Sequence, residues 1–491
     1  MGGQVDRPLY EVKNADYADY QGDDGLISVA ILSFSDGRKR VHDGLAPYIL
    51  EQELRIRQAL EGTGEVRVTV ADEIIWQPDL AREQAKKIAG LFPDAIILNV
   101  PVFAFPNLAV IAASLQSAPC LAISPVNGKM PGLGGLQAAV NAIRQVGMSC
   151  EKIWGNVETA PIMNKLMTFL RAAHAVTALR GQVYGLIGGR SIGMVSGAAS
   201  PDVWMRVFGV DVDHIDQLEI IRRAGEIEES KVDRALEWLT SIMGSIRYDQ
   251  GKLTKDSLRM QIKCYIATKD LIAERKLDFI GVKCHYDLSE YYVTQCLAAA
   301  LCNDPYDWDG PKEPVVYSCE ADSDGALTMQ VMKLVSGLPA LFFDFRHYDD
   351  KEGVFVFCNC GAMATWYAQR SEDPAMNLKS VNLCPIIPKY GGSGCHVQYI
   401  AKEGEMTLGR LSRVGESYKM TLFRGRFRAF PEEKLAETCS VWPHGFVAVD
   451  ADPENLIERY ESNHVHGVYG DHIDELVKFC ELKKIQCEVI R

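Results

Sequence analysis

Residues 313–345 read EPVVYSCEADSDGALTMQVMKLVSGLPALFFDF, and the fold turns on how this stretch divides. EPVVYSCE is an apolar strand ending on Glu320, ADSDG is a turn, ALTMQVMKLVSG has helical spacing, and LPALFFD is a second strand ending on Asp344. A strand–helix–strand unit gives parallel strands, so both carboxylates are expected at the carboxyl ends of their strands, the edge where open α/β sheets bind ligands. Neighbouring strands lie about 4.8 Å apart, which would let both carboxylates hold one divalent ion. An ionised carboxylate is costly to bury at the end of a run as apolar as GLPALFF. Asp344 is therefore either a turn residue beyond a buried strand or a charge kept for chemistry.

Outward from this stretch, the first third of the chain alternates strand and helix character through LISVAILSFSD, YILEQELRIRQALEG, VRVTVADE, DLAREQAKKIAGLF and DAIILNV. This order predicts a doubly wound α/β domain over residues 1–172. A helical bridge, NKLMTFLRAAHAVTALRG, leads to a second α/β domain over 173–350, opened by QVYGLIGGRSIGM and closed by the two acids. After Tyr348 the pattern changes to short alternating pieces with turn signals, GVFVFCN, CHVQYIA, EMTLGRLS and YKMTLFRGRFRAF, so residues 351–491 are expected to form a β-rich domain. That domain ends in one more helix and strand, DHIDELVKFCELKKIQCEVI.

A chain of 491 residues is too long for one ordinary core, and 47% hydrophobic with 24% charged residues is a globular composition. A net charge of −13 argues against a nucleic-acid backbone or an anionic membrane as partner. The first twenty residues lack the basic-then-apolar layout of a signal peptide and read as a flexible lead-in. No charge occurs from Ala95 to Gly128, but Pro101, Pro106 and Pro119 divide that span into strand, helix and strand, so a membrane crossing is not expected. Fourteen cysteines without a signal peptide imply thiols in a reducing cytosol, and Cys358 and Cys360 read as packing residues. GLIGGRSIGM lacks a full dinucleotide fingerprint and no P-loop occurs, so no nucleotide cofactor is inferred.

Two carboxylates make a metal site only with a further ligand. SNHVHGVYGDH offers His464, His466 and His472; on a strand the first two share a face. Two carboxylates with one imidazole suit Mn2+ or Mg2+ better than zinc with thiolates. Such an ion would polarise the carbonyl of a hydroxy-carbonyl substrate while a carboxylate moves a proton between neighbouring carbons. The plainer alternative is that both acids cap turns and the histidines lie on solvated loops. In VWPHGFV, Trp442 and His444 could supply a stacking ring and a polar contact to a sugar, or simply pack.

Several separated segments resemble the L-fucose isomerase family, with a weaker similarity to L-arabinose isomerase near the C-terminus. They are SFSDGRKRVHDGL, LRGQVYGLIGGRSIGMVSGAASPDVWMRVFGVDVDHIDQLEI, SCEADSDGALTM, FFDFRHY and NHVHGVYGDH, in the family's order. The resemblance implies two α/β domains and a β-rich one, an oligomer (trimer or hexamer) with active sites between subunits, and Mn2+, with Mg2+ or Co2+ as alternatives. It also implies interconversion of an aldose with its ketose through a cis-enediol. Carried over by position, Glu320 and Asp344 become metal ligands and the acid–base pair, and His466 the third ligand because HGVY aligns better than HVHG. Arg38 approaches the sugar, in a neighbouring subunit's site. Relatives of this type often carry histidine before a Cys-Gly pair; Asn359 stands there in this chain and is a candidate substrate contact. A pentose, a 6-deoxyhexose or a hexose modified at C6 would be compatible substrates. The alternatives are an epimerase using the same site and a non-catalytic sugar-binding protein.

Overall fold

A computed structural model of the chain describes residues 25–491; the lead-in expected over the first twenty lies outside them. The chain divides into two compact units, Met1–Leu170 and Arg171–Arg491.

The first unit is built on five parallel strands, β1 (Ile27–Ser33), β2 (Val66–Val70), β3 (Ala95–Asn99), β4 (Cys120–Ser124) and β5 (Glu151–Trp154), in the order β2-β1-β3-β4-β5. Helices α1 (Lys39–Glu61), α2 (Pro78–Ala89), α3 (Pro106–Ser114) and α4 (Gly132–Gln145) alternate with them. This is the doubly wound arrangement that the alternating pattern predicts, and its strands β3 and β4 are buried along their whole length. The uncharged span from Ala95 becomes β3, α3 and β4, as the three prolines require. Among the described residues no helix is long and apolar enough to cross a membrane.

The two larger sheets of the second unit are of different kinds. A parallel sheet holds β6 (Val183–Ile187), β7 (Asp211–Ile215), β8 (Phe279–Val282) and β9 (Tyr317–Ser318), in the order β9-β8-β6-β7. Helix α5 (Ser323–Ser336) then leads into β10 (Leu341–Asp349). The second sheet joins β10 to β11 (Val354–Cys358), β12 (Gly404–Val414), β13 (Ser417–Phe427), β14 (His444–Val449), β15 (His464–Tyr469) and β16 (Gln486–Val489). Its order is β12-β15-β10-β11-β14-β13-β16, and β12 also pairs with β13, so six strands close into a ring. Phe343 on β10 and Phe427 on β13 pack edge to face at 5.9 Å across this ring, which places Phe343 inside it. Side chains alternate along a strand, so Asp344 points out of the ring.

The two acid-bearing strands are not parallel neighbours, which corrects the expectation from the quoted stretch. β9 lies in the parallel sheet, whereas β10 runs antiparallel between β11 and β15. The tight turn after Asp349 folds β10 back as a hairpin on β11, and β15 takes the other edge of β10, so neither edge is left for β9. These two larger sheets share one continuous hydrophobic core, so the carboxylates still meet, from one sheet to the other.

Candidate active site

Glu320 stands two residues beyond β9, where the backbone turns through the left-handed region at Glu320 (φ 59°) and Ala321 (φ 53°). Such a conformation costs a non-glycine residue about 1–3 kcal/mol, so surrounding structure must hold it. Part of that hold is Asp322, whose carboxylate caps α5 by accepting from the Gly325 N–H at 3.1 Å. Gly325 is needed at this point: a Cβ there would lie 2.7 Å from the Asp322 carboxylate and 2.8 Å from the His466 ring. On the facing sheet, Asp344 pairs directly with His464 of β15, so their side chains emerge on one face.

Both carboxylates converge on one imidazole nitrogen. His464 Nε2 lies 3.3 Å from Asp344 Oδ1 and 3.8 Å from Glu320 Oε2, while its Nδ1 is 2.7 Å from Asp322 Oδ2. Glu320 and Asp344 are 15% and 27% exposed and His464 only 1%, so the ring is enclosed and the acids face an opening. Asp322 is in turn clasped by the buried Arg410 guanidinium at 2.7 and 2.8 Å. Burial opposes ionisation of Asp322, but Arg410 and His464 hold it well below the usual carboxylate range.

The charges define what this cluster can bind. Burial, then the Cys360 and Asp344 charges, push Glu320 up to about 7. Burial alone would lower His464, but hydrogen bonds to Asp322 and Asp344 outweigh it and raise the ring to about 10. The protonated ring thus holds three acids, Asp322 at Nδ1 and Glu320 and Asp344 around the proton on Nε2, the position a divalent cation would take on displacing it. The donor set of two carboxylates and one imidazole, the latter oriented through Nδ1 by a carboxylate, fits a hard divalent ion such as Mn2+.

Of the two histidines that alternate on β15, the structure brings His464 to the acids. His466 faces Arg410, with Nε2 2.8 Å from Nη1. A guanidinium only donates, so Nε2 must accept and its lone pair is engaged. Burial, followed by the Arg410 charge, pushes His466 well below its ordinary range. His472 sits apart at the start of the last helix, its Nε2 3.2 Å from the Tyr469 carbonyl.

The remaining sequence-derived residues are placed as follows. Trp442 is 3% exposed, with Arg346 Cζ 5.1 Å and Lys389 Nζ 5.7 Å from its ring centroid. Both nitrogens of buried His444 are used within the fold, Nδ1 2.8 Å from the Trp442 carbonyl and Nε2 3.3 Å from Thr438 Oγ1. Asn359 is fully buried and accepts from the Ala362 N–H at 2.8 Å, which fixes the CNCGA turn. Arg38 belongs to the first unit; it is 70% exposed and forks onto Asp36 through Nε at 2.8 Å and Nη2 at 2.7 Å.

The sequence reading missed Asp322, Arg410, His285 and Cys360. Asp322 was visible only as one of several turn-forming residues in ADSDG. His285 Nε2 lies 3.6 Å from Glu320 Oε1 and 3.1 Å from the Tyr390 hydroxyl. Donor atoms of His285, Glu320 and Cys360 all lie within 4.8 Å of one another, a second group of metal-ligand type sharing Glu320. Thiols of Cys296 and Cys319 hold the Cys360 thiol well below its ordinary range against burial, with His285 contributing. Cys319 and Cys360 sulfurs are 3.3 Å apart. Cys360 is therefore more than a packing residue, since its sulfur borders the carboxylate site.

Comparison with known proteins points one way. Residues 26–181 match the family model described as L-fucose isomerase, first N-terminal domain, and residues 357–490 match L-fucose isomerase, C-terminal domain. The chain is 24% identical to a sulfoquinovose isomerase of Alkalicoccus urumqiensis over 71% of this chain and 76% of that protein. It is 21% identical to a sulfoquinovose isomerase of Clostridium sp. (strain MSTE9) over 74% of this chain and 76% of that protein. An L-fucose isomerase of Klebsiella pneumoniae is 24% identical, over 66% of this chain and 67% of that protein.

Proposed function

The chain belongs to the L-fucose isomerase family, and from that premise we propose that it is a metal-dependent aldose–ketose isomerase whose ion is held by Glu320, Asp344 and His464. One observation carries this reading: two carboxylates from different sheets converge on a single imidazole nitrogen whose ring is oriented by a third.

A bound Mn2+, or Mg2+ or Co2+ in its place, supplies Lewis-acid polarisation of the sugar carbonyl. Asp322 keeps the His464 ring in register through Nδ1, and Arg410 keeps Asp322 ionised. Glu320 and Asp344 take up and return the proton that moves between the first two sugar carbons, passing through a cis-enediol. His285, 3.6 Å from Glu320, steadies that carboxylate on its other oxygen. The relatives' names offer two substrates that differ at C6, sulfoquinovose with its sulfonate and the neutral 6-deoxy sugar L-fucose.

The enzyme works as a homo-oligomer in which Arg38, presented at the surface by Asp36, reaches a neighbouring copy's site. All fourteen cysteines are free thiols, which suits a reducing cytosol.

The test is turnover of metal-stripped protein on a panel of aldoses and ketoses, with product followed by chromatography. A chelator is expected to abolish interconversion and Mn2+ to restore it best. Full activity in metal-free protein, or an epimer accumulating in place of the ketose, would overturn the assignment.

A further inference from the structure

We infer that the site carries an anion-binding subsite formed by Arg346 and Lys389 on the face of Trp442, and that the sugar it takes bears an acidic group on the carbon farthest from the carbonyl. The inference rests on the isomerase reading above and goes beyond it by naming the chemical class of the substrate.

Arg346 lies on β10 two residues after Asp344, at the point where the pairing of β10 with β11 shifts register between Phe345 and His347. A bulge re-aims the residue it carries. The guanidinium consequently sits over Trp442, with Cζ 5.1 Å from the ring centroid. Lys389 reaches the same indole from a different segment, Nζ 5.7 Å from that centroid and 4.9 Å from the Tyr390 ring.

Two cations thus share one aromatic platform, and neither pairs with a carboxylate among the described residues. Arg346 does lie against the Cys439 thiol, which the Cys358 thiol and then Arg346 hold down to about 6 despite burial. That neighbour is a single soft sulfur, and it leaves the fork of guanidinium N–H donors without a two-oxygen partner.

The platform adjoins the carboxylates. Tyr390 follows Lys389 and its hydroxyl is 3.1 Å from His285 Nε2, which is 3.6 Å from Glu320 Oε1. Both cations are exposed, whereas Trp442 beneath them is buried, so the indole is their fixed floor; the charge of Asp344 acts on Arg346 and that of Lys389 on His285, which ties the platform to the carboxylate site. Cations held on an aromatic face lose little freedom on binding, and a guanidinium fork matches two oxygens of a sulfonate, phosphate or carboxylate. With the carbonyl end at Glu320 and Asp344, an acidic group at the other end of the sugar is the part left to meet them. A neutral 6-deoxy sugar would offer neither cation an oxyanion.

The experiment compares wild type with Arg346→Met, Lys389→Met and the double variant, in which the hydrocarbon stems still cover Trp442. Turnover is measured with Mn2+ on sulfoquinovose, glucose 6-phosphate, glucuronate and L-fucose. The double variant is expected to raise KM for the preferred acidic sugar at least tenfold with little change in kcat, and to leave KM for L-fucose unchanged. The three acidic sugars separate sulfonate, phosphate and carboxylate as the group recognised. Calorimetry of glucitol 6-phosphate and glucitol 6-sulfonate against plain glucitol reads the subsite without turnover, since these alditols have no carbonyl to isomerise. Preferential binding of an acidic alditol, lost in the double variant, supports the subsite even in protein that turns over none of the sugars, a result that would overturn only the isomerase reading. Equal binding of acidic and neutral alditols, or an acidic-sugar KM unmoved in the double variant, overturns the subsite.

Discussion

Asp344→Asn and Glu320→Gln are each expected to lower turnover by at least about 10²-fold, the low end for losing a group that handles a proton. An amide keeps the shape of the side chain and most of its hydrogen bonds, so a residue that merely ended a strand would tolerate the change. Here each substitution removes an anionic donor and a proton acceptor together from a cluster in which Asp344 lies 3.3 Å and Glu320 3.8 Å from the same nitrogen. The double variant should be little slower than either single one, because groups that act as one unit are non-additive. Metal-free stability should hold or rise in Glu320→Gln, since burial and the charge of Asp344 both act against an ionised Glu320, whereas Asp344→Asn relieves that repulsion but also weakens the hold on the His464 proton. Steady-state kinetics and thermal unfolding of the three variants check this. An Asp344→Asn protein that binds metal and turns over at the wild-type rate would reduce Asp344 to a strand-end residue.

The second large effect separates two histidines only two residues apart. His464→Ala is expected to lose metal affinity and at least about 10²-fold in turnover, with most of the fold intact. His466→Ala is expected to keep its metal but to unfold earlier, losing about 2–4 kcal/mol through the cavity and the buried Arg410 donor left without its acceptor. Proton release gives an independent reading of the same choice. His464 is held up to about 10, so at neutral pH it binds a cation only by giving up its Nε2 proton. Metal binding should therefore release at least one proton and tighten as pH rises. His466, pushed well below its ordinary range, has none to release. Calorimetry in buffers of different ionisation enthalpy measures the count, and release that persists in His464→Ala but vanishes in His466→Ala would reverse the assignment.

The sequence by itself determined what local patterns encode. Period-2 and period-3.6 apolar spacing, cut by Pro101, Pro106 and Pro119, was enough to read the doubly wound, parallel character of the first unit, because alternation of strand and helix is written along the chain itself. It also singled out Glu320 and Asp344, since a carboxylate after a buried apolar run is legible wherever that run goes.

What only the tertiary structure decided is where separate segments meet. The strands leading to the two acids lie in different sheets, because β11 and the distant β15 take both edges of β10 and leave none for the parallel crossover implied by the intervening helix. The choice between His464 and His466 was equally invisible. Alternation puts both on one face of β15, and what separates them is the long-range contact each one makes: Asp322, 142 residues away, for the first, and Arg410, 56 residues away, for the second. No spacing rule reports which distant side chain will occupy an imidazole lone pair, and that occupancy decides which nitrogen is left for a metal.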